Sequence, residues 1–182
     1  QPAIFLISYS IYKFIKNESN FELNKAKFFA GHSLGEYSAL ACAEALTFEQ
    51  TLELLKVRGK AMQSAVPSGQ GGMLAVLGEK IEIVNEILKL NKDKFQCFVA
   101  NDNSVGQIVV SGNTKDLDLF SEILKSKNIK NIKLSVSAPF HCSLMSSATE
   151  IMKNQITNTD FKKPNNEIVS NVTAEHVNDP NE

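Results

Sequence analysis

The segment Gly31-His32-Ser33-Leu34-Gly35 constrains this chain more than any other. It follows a short, partly aromatic apolar run, Ala26-Lys27-Phe28-Phe29-Ala30, and precedes an alanine- and leucine-rich stretch over 36–45 that contains no helix breaker. An apolar run of strand length, a glycine-flanked serine and a strong helix former, in that order, predict strand, sharp turn and helix. In that setting a Gly-x-Ser-x-Gly match reads as a nucleophile elbow. Gly31 and Gly35 are expected to permit a bend where side chains would clash. Ser33 Oγ is then exposed at a helix N-terminus, where N–H groups and the dipole favour developing negative charge. Such a serine is placed to be acylated.

Around this element the pattern alternates between helix and strand periods. Pro2 suits a first helical turn, and Ile4, Ile7, Ile11, Phe14 and Ile15 recur at helical spacing, which predicts a helix ending near 17–20. Thr47 with Gln50 predicts a capping box that opens a helix to about residue 66. Pro67-Ser68-Gly69-Gln70-Gly71-Gly72 stops that helix. Beyond it, strands are expected at 73–77, 96–100, 107–111 and 132–136, with helices at 80–90 and 114–127. The order βαββαβ is that of a ferredoxin-like unit. It predicts a small subdomain over 70–136, with the glycine-rich loop as its hinge, inserted into a larger α/β domain made of 1–69 and 137–182. A helix over about 143–155 and a strand near 167–171 are expected to complete the larger domain.

With 43% hydrophobic and 21% charged residues, a chain of 182 residues can bury one good-sized core with a smaller insertion. The formal net charge of -1 gives no basis for a nucleic-acid partner, and no apolar run reaches the length of a membrane span. Cys42, Cys97 and Cys142 are an odd number without metal-ligand spacing, which suits a reducing compartment. A cytoplasmic protein without membrane or nucleic-acid partners is expected. The chain opens at Gln1 inside an apolar helical pattern and closes on Asn178-Asp179-Pro180-Asn181-Glu182 without a closing element, which reads as an internal fragment.

An acylated serine needs a base, and the chain holds His32, His141 and His176. His32 neighbours the serine on a bend that points adjacent side chains apart, and His176 lies in a polar stretch. His141 follows Pro139-Phe140 just before a helix. By itself such a histidine is more often structural, but an elbow upstream makes it the candidate base, since triads assemble in space. Arg58 lies at the edge of the stripe Phe48, Leu52, Leu55, Gly59 and Met62. The bland reading is an arginine snorkelling from a core edge. The sharper one is a planar guanidinium that holds an acyl carboxylate bidentately. Cys142 reads as a small core residue. The loop at 69–72 lacks the ending of a phosphate loop, and Lys125, Lys127, Lys130 and Lys133 form a basic, solvated face.

The segment Gly31-His32-Ser33-Leu34-Gly35-Glu36-Tyr37-Ser38-Ala39-Leu40 strongly resembles the active-site segment of malonyl-CoA:acyl-carrier-protein transacylases of fatty acid synthesis. Val57-Arg58-Gly59-Lys60-Ala61-Met62-Gln63 is similar to that family's arginine helix. Asn103-Ser104-Val105-Gly106-Gln107 is similar to its Asn-Ser-Pro-Gly-Gln turn, with Val105 in place of proline, and Pro139-Phe140-His141-Cys142-Ser143-Leu144-Met145 to its histidine block. The resemblance implies an α/β fold with a hydrolase-like core and an inserted ferredoxin-like subdomain. It implies Ser33 as nucleophile, His141 as general base, Arg58 as ligand of the malonyl carboxylate and the Leu34 N–H as one oxyanion donor. Phe140, Asn103 and Met62 are implied on the substrate side, Phe140 adding bulk against branched acyl groups.

The function so implied is transfer of a malonyl group from malonyl-CoA to the phosphopantetheine thiol of acyl-carrier protein through a malonyl-serine ester, by a monomer without metal or other cofactor. The family's N-terminal Gly-Gln-Gly loop and C-terminal glutamine segment are not in this sequence, so the chain alone is expected to be weak or inactive. A serine esterase or thioesterase uses the same elbow, and Asp93, Asp102, Asp116 and Asp118 all fall between Ser33 and His141. An acyltransferase domain of a polyketide synthase and a non-catalytic carrier-binding module are the other readings. Arg58 separates transacylase from esterase.

Overall fold

The computed structural model describes residues 1–180. The chain forms two compact units, one made of Gln1–Gly59 and the residues from Met152 on, the other of Lys60–Ile151. The first unit opens with α1 (Pro2–Glu18), followed by a 3-10 turn at Leu23–Lys25, β1 (Phe28–Ala30) and α2 (Leu34–Cys42). The next helix, α3 (Phe48–Ser64), begins in this unit and continues into the second. Its N-terminus is the expected capping box. The Gln50 N–H donates to Thr47 Oγ1 at 3.1 Å and the Thr47 N–H to Gln50 Oε1 at 2.8 Å.

Helix α1 differs from its sequence pattern. The face it buries carries Phe5, which is fully enclosed and stacks on Phe48 at 5.3 Å, and Tyr9, whose ring is tilted against Phe48 at the same distance. Ile4, Ile7, Ile11 and Phe14 are more than half exposed among the described residues. The helix is apolar on two sides, and periodicity alone does not say which one is packed. Full burial of Phe5 against Ala41 and Leu55 is worth about 1.5–3 kcal/mol and fixes that choice.

Helix α2 ends at Cys42, short of residue 45, because the chain reverses there. Glu44 takes a left-handed φ of 63°. The Glu44 N–H donates to the Ala41 carbonyl at 3.2 Å and the Ala45 N–H to the Leu40 carbonyl at 2.9 Å. That pair of bonds is a Schellman stop with a glutamate at the position usually held by glycine. The Glu44 carboxylate is tied down by Lys16 Nζ at 3.0 Å and Asn165 Nδ2 at 2.8 Å. Small residues let α2 approach the sheet: Ala39 and Ala43 pack on Ile168 of β6 (Glu167–Val169). Strand β6 lies parallel to β1, with Phe28 opposite Glu167, Phe29 opposite Ile168 and Ala30 opposite Val169. A further two-residue strand, β7 (His176–Val177), pairs antiparallel with β6 and was not expected from the sequence.

The second unit is built on a four-stranded sheet. Its elements are β2 (Gly71–Leu77), α4 (Ile81–Leu90), β3 (Cys97–Ser104), β4 (Gln107–Asn113), α5 (Thr114–Ser126) and β5 (Lys130–Lys133). The strand order is β3-β4-β2-β5 with every neighbouring pair antiparallel. Each helix therefore links two strands with a third between them. Leu74, Val76, Ile108 and Val110 of the two central strands meet Val84 and Ile87 of α4 and Leu117, Phe120 and Leu124 of α5 in one buried cluster. Strand β5 sits earlier than the alternation Ile132, Leu134, Val136 suggests. It follows β2 only from Leu77 back to Leu74, and after a last Leu134 N–H to Met73 carbonyl bond at 3.0 Å the chain leaves the sheet. The helix expected at 143–155 begins as a 3-10 turn, Ser143–Met145, and continues as α6 (Ser146–Thr157). Among the described residues no helix is long and apolar enough to cross a membrane.

Candidate active site

Strand β1 delivers the chain into a bend whose geometry is set by close approach. A Cβ on Gly31 would lie 2.0 Å from the Gly35 carbonyl oxygen, so only glycine fits there. Gly35 does not share this constraint: a Cβ there would meet nothing within 4 Å, contrary to the expected clash. Ser33 carries the bend with φ 56° and ψ -109°, a region costly for any residue other than glycine, of order 1–3 kcal/mol. That conformation is held by four hydrogen bonds. The Ser33 N–H donates to Asn171 Oδ1 at 2.6 Å, and Asn171 Nδ2 donates to the Gly31 carbonyl at 2.7 Å. The Gly35 N–H reaches the His32 carbonyl at 2.9 Å, and the Glu36 N–H the Ser33 carbonyl at 3.1 Å. Among the N–H groups from Ser33 to Glu36, that of Leu34, the first residue of α2, is the one these bonds leave open.

Arg58 projects from α3 towards this serine. Its Nη2 donates to Ser33 Oγ at 3.0 Å and its Nη1 to Gln1 Oε1 at 2.6 Å, with the guanidinium carbon 5.7 Å from the centre of the Tyr37 ring. Burial pulls the Arg58 pKa down while Tyr37 and Glu36 oppose this, and a guanidinium remains charged regardless. Burial also pushes the Glu36 carboxyl above its ordinary value, with the Asn171 main-chain N–H and the Arg58 charge pulling the other way. Because Ser33 Oγ is the acceptor towards Arg58, the arginine does not compete for the hydroxyl proton. Ser33, Leu34 and Arg58 are thus assembled within one unit. Asn171, Gln1, Glu36 and Tyr37 surround them, and none of the four was singled out from sequence.

His141, Phe140, Asn103 and Met62 belong to the second unit. His141 is exposed and left-handed, φ 58°, on a loop anchored on both sides. Ser111 Oγ donates to the Phe140 carbonyl at 2.6 Å, and the Cys142 thiol to the Pro139 carbonyl at 3.1 Å. Phe140 packs on a cluster containing Ala61, Met62, Val66, Ala138 and Met145. Met62 is 8% exposed within that cluster. Gly71 and Gly72 open β2, and a Cβ on Gly71 would lie 2.4 Å from the Pro139 ring, which is why glycine stands there. The turn itself falls to Gly69, φ 80°. Asn103 is exposed on β3 where the pairing with β4 shifts register between Asp102 and Ser104.

The remaining candidates have local partners. His176 Nδ1 lies 3.3 Å from the Glu167 carboxylate, and His32 is exposed next to Ser33. Lys133 pairs with Asp118, and Asp116 accepts from the Gln96 N–H at 3.3 Å. Burial pushes the Cys142 thiol up, in keeping with a packing role.

Comparison with known proteins identifies the family. A family model described as acyl transferase domain matches residues 1–181. The malonyl CoA-acyl carrier protein transacylase of Bacillus subtilis is 40% identical over 177 residues, 96% of this chain and 55% of that protein. The crystal structure of an acyl-carrier-protein S-malonyltransferase from Bartonella henselae superposes with a TM-score of 0.93 at 38% identity, covering 100% of this chain and 58% of that one. A malonyl-transacylase solved in complex with a type II polyketide acyl-carrier protein gives a TM-score of 0.92 at 32% identity, over 100% and 58% of the two chains. The chain therefore spans little more than half the length of the relatives it matches. A family match over that extent, with an elbow serine under an arginine as its structural counterpart, settles the relationship: the chain belongs to the acyl transferase domain family.

Proposed function

We propose that the protein containing this chain transfers a malonyl group from malonyl-CoA to the phosphopantetheine thiol of an acyl-carrier protein. Ser33 is the nucleophile and His141 the general base. Ser33 Oγ bonds to the thioester carbonyl carbon as His141 takes its proton, and the Leu34 N–H donates to the oxyanion. The C–S bond then breaks, and the CoA sulfur leaves with the proton from His141. The malonyl-serine ester keeps its carboxylate on Arg58 until the carrier thiol reverses the same steps. Phe140 and Asn103 act on the substrate side, and no step calls for a metal or other cofactor. A hydrolase-like core with a ferredoxin-like insertion over 70–136, a monomeric state and a cytoplasmic location complete the reading.

The observation that carries it is the 3.0 Å contact between Arg58 Nη2 and Ser33 Oγ. The carboxylate of a malonyl ester lies three bonds from that oxygen, within reach of the same guanidinium. An esterase has no need of a cation there. The likeness to a transacylase bound to a polyketide carrier keeps a polyketide setting as the second reading of the same chemistry. The test is intact mass spectrometry of the complete polypeptide after brief exposure to malonyl-CoA or acetyl-CoA. A malonyl adduct on Ser33 that persists until carrier protein is added is expected. Rapid loss to water would make the protein a thioesterase, and no adduct from a folded polypeptide would end the catalytic reading.

A further inference from the structure

The β1–β6 ladder stops at Ala30 opposite Val169. Carried two residues further in the same register, it would set Asn171 opposite His32. In a parallel pair, a residue gives its own N–H to the carbonyl before its partner and accepts at its own carbonyl from the N–H after it. For Asn171 those two groups are the Gly31 carbonyl and the Ser33 N–H. They are the groups that Asn171 does bind, but with its side chain: Nδ2 donates to the Gly31 carbonyl at 2.7 Å, and Oδ1 accepts from the Ser33 N–H at 2.6 Å. A primary carboxamide presents the same donor and acceptor as a peptide group. We infer that Asn171 is the positioning residue of the elbow, its side chain standing in for a missing strand rung and holding Ser33 in its left-handed conformation.

Two consequences follow for the chemistry, and both rest on Ser33 being the nucleophile. The first is the identity of the oxyanion donor. With the Ser33 N–H committed to Asn171, the Gly35 N–H to His32 and the Glu36 N–H to Ser33, the Leu34 N–H is the donor left at the elbow. The second concerns Glu36. A side chain that takes over the ladder releases its own main chain, and the Asn171 N–H turns to the Glu36 carboxylate. Asn171 is itself exposed, so water competes for both amide bonds and their contribution is to geometry more than to stability. Aspartate at this position keeps the acceptor for Ser33 but sets an oxygen against the Gly31 carbonyl. Alanine removes both bonds.

The test uses the complete polypeptide and a fluorophosphonate, which forms an Oγ–P bond on an activated serine, expels fluoride and leaves the hydroxyl proton with the base. The probe carries no carboxylate, so it reads Ser33 without involving Arg58 or malonyl recognition. Phosphonylation is expected to slow about 10²-fold in Asn171→Ala, the scale of a misplaced reacting group, and by a smaller factor in Asn171→Asp. With malonyl-CoA the loss is expected in kcat and not in KM, while thermal melting stays close to wild type. Wild-type phosphonylation in either folded variant overturns the assignment. Hydrogen exchange of the wild-type Ser33 amide gives a reading that needs no variant: slower exchange than at the neighbouring Leu34 amide is expected, and exchange at the same rate overturns it. If the variants lose phosphonylation while the wild type forms no malonyl adduct, the role of Asn171 stands and the malonyl reading fails.

Discussion

Replacing Arg58 by alanine tests whether the guanidinium recognises a carboxylate or merely packs. In the resting state it donates to two neutral oxygens, Gln1 Oε1 at 2.6 Å and Ser33 Oγ at 3.0 Å, beside the Tyr37 ring. Acylation turns Ser33 Oγ into an ester oxygen, a poorer acceptor, just as a carboxylate arrives three bonds away. The Nη2–H is then released to a better partner. A hydrogen bond to a charged group contributes about 1.5–3 kcal/mol, against roughly 0.5–1.5 for a neutral pair. A carboxylate held bidentately takes the Nη1–H from Gln1 Oε1 as well, and two such exchanges favour the malonyl ester by about 3 kcal/mol, or ~10² in rate. Acetyl ends one bond earlier in a methyl group and gains nothing. Alanine is a good helix former, so α3 should persist. Arg58→Ala in the complete polypeptide is therefore expected to lose about 10² in kcat/KM for malonyl-CoA and little for acetyl-CoA. Arg58→Lys keeps the charge without the fork and should fall between. The assay is the rate of Ser33 acylation by each thioester, read by mass. An equal loss for malonyl and acetyl would refute the argument and make Arg58 a support for the serine alone.

Gly31→Ala is expected to destabilise the chain by about 1–3 kcal/mol or more, because its Cβ would sit 2.0 Å from the Gly35 carbonyl oxygen, whereas Gly35→Ala, with open space around it, should stabilise α2 by roughly 0.5–1 kcal/mol; paired thermal melts check the contrast. Burial raises Glu36, so the folded state holds that proton more tightly than the unfolded one, and the associated stability is lost as pH rises from the ordinary carboxylate range through the raised value. Glu36→Gln should therefore gain on wild type in urea melts as pH increases, and a difference that does not vary with pH would be evidence against it. Burial pushes Cys97 up to about 12, Cys42 up to about 11 and Cys142 upwards as well, so none should react quickly with iodoacetamide in the native state near neutral pH. Rapid alkylation of Cys142 would contradict its assignment as a packing residue.

Local signals carried much of the architecture. The capping box at Thr47 and Gln50, the glycine stop after α3 and the βαββαβ order were all legible, because each is set by residues a few positions apart. Errors arose where a distant segment made the decision. Strand β5 ends where the chain turns away from β2 after Leu134, although β2 itself runs on to Gly71, and neither strand announces that in its own sequence. Helix α1 presents two apolar faces, and only the meeting of Phe5 and Tyr9 with Phe48 selects one. Helix α2 stops at a glutamate in a conformation usually given to glycine, which becomes tolerable once Lys16 and Asn165 hold its carboxylate. None of those partners lies within the helix.

The site divides along the same line. Gly31, Ser33 and Arg58 could be read because one motif and one helix position carry their chemistry: a close approach, a hydroxyl at a sharp bend, a planar cation. Asn171 could not, because its significance is a register: only once Ala30 is known to face Val169 does a residue two positions on become the one opposite His32. An asparagine after a short strand otherwise signals nothing more than a turn. The elbow thus has two kinds of support. Gly31 makes the bend sterically possible, and the Asn171 carboxamide keeps the bent backbone in place after the ladder has ended. The two are separable by experiment. Loss of the first should appear as unfolding, since a clash at 2.0 Å cannot be relieved without moving α2. Loss of the second should appear as a folded protein whose serine reacts slowly, because two exposed hydrogen bonds contribute little to stability but fix where Ser33 Oγ points.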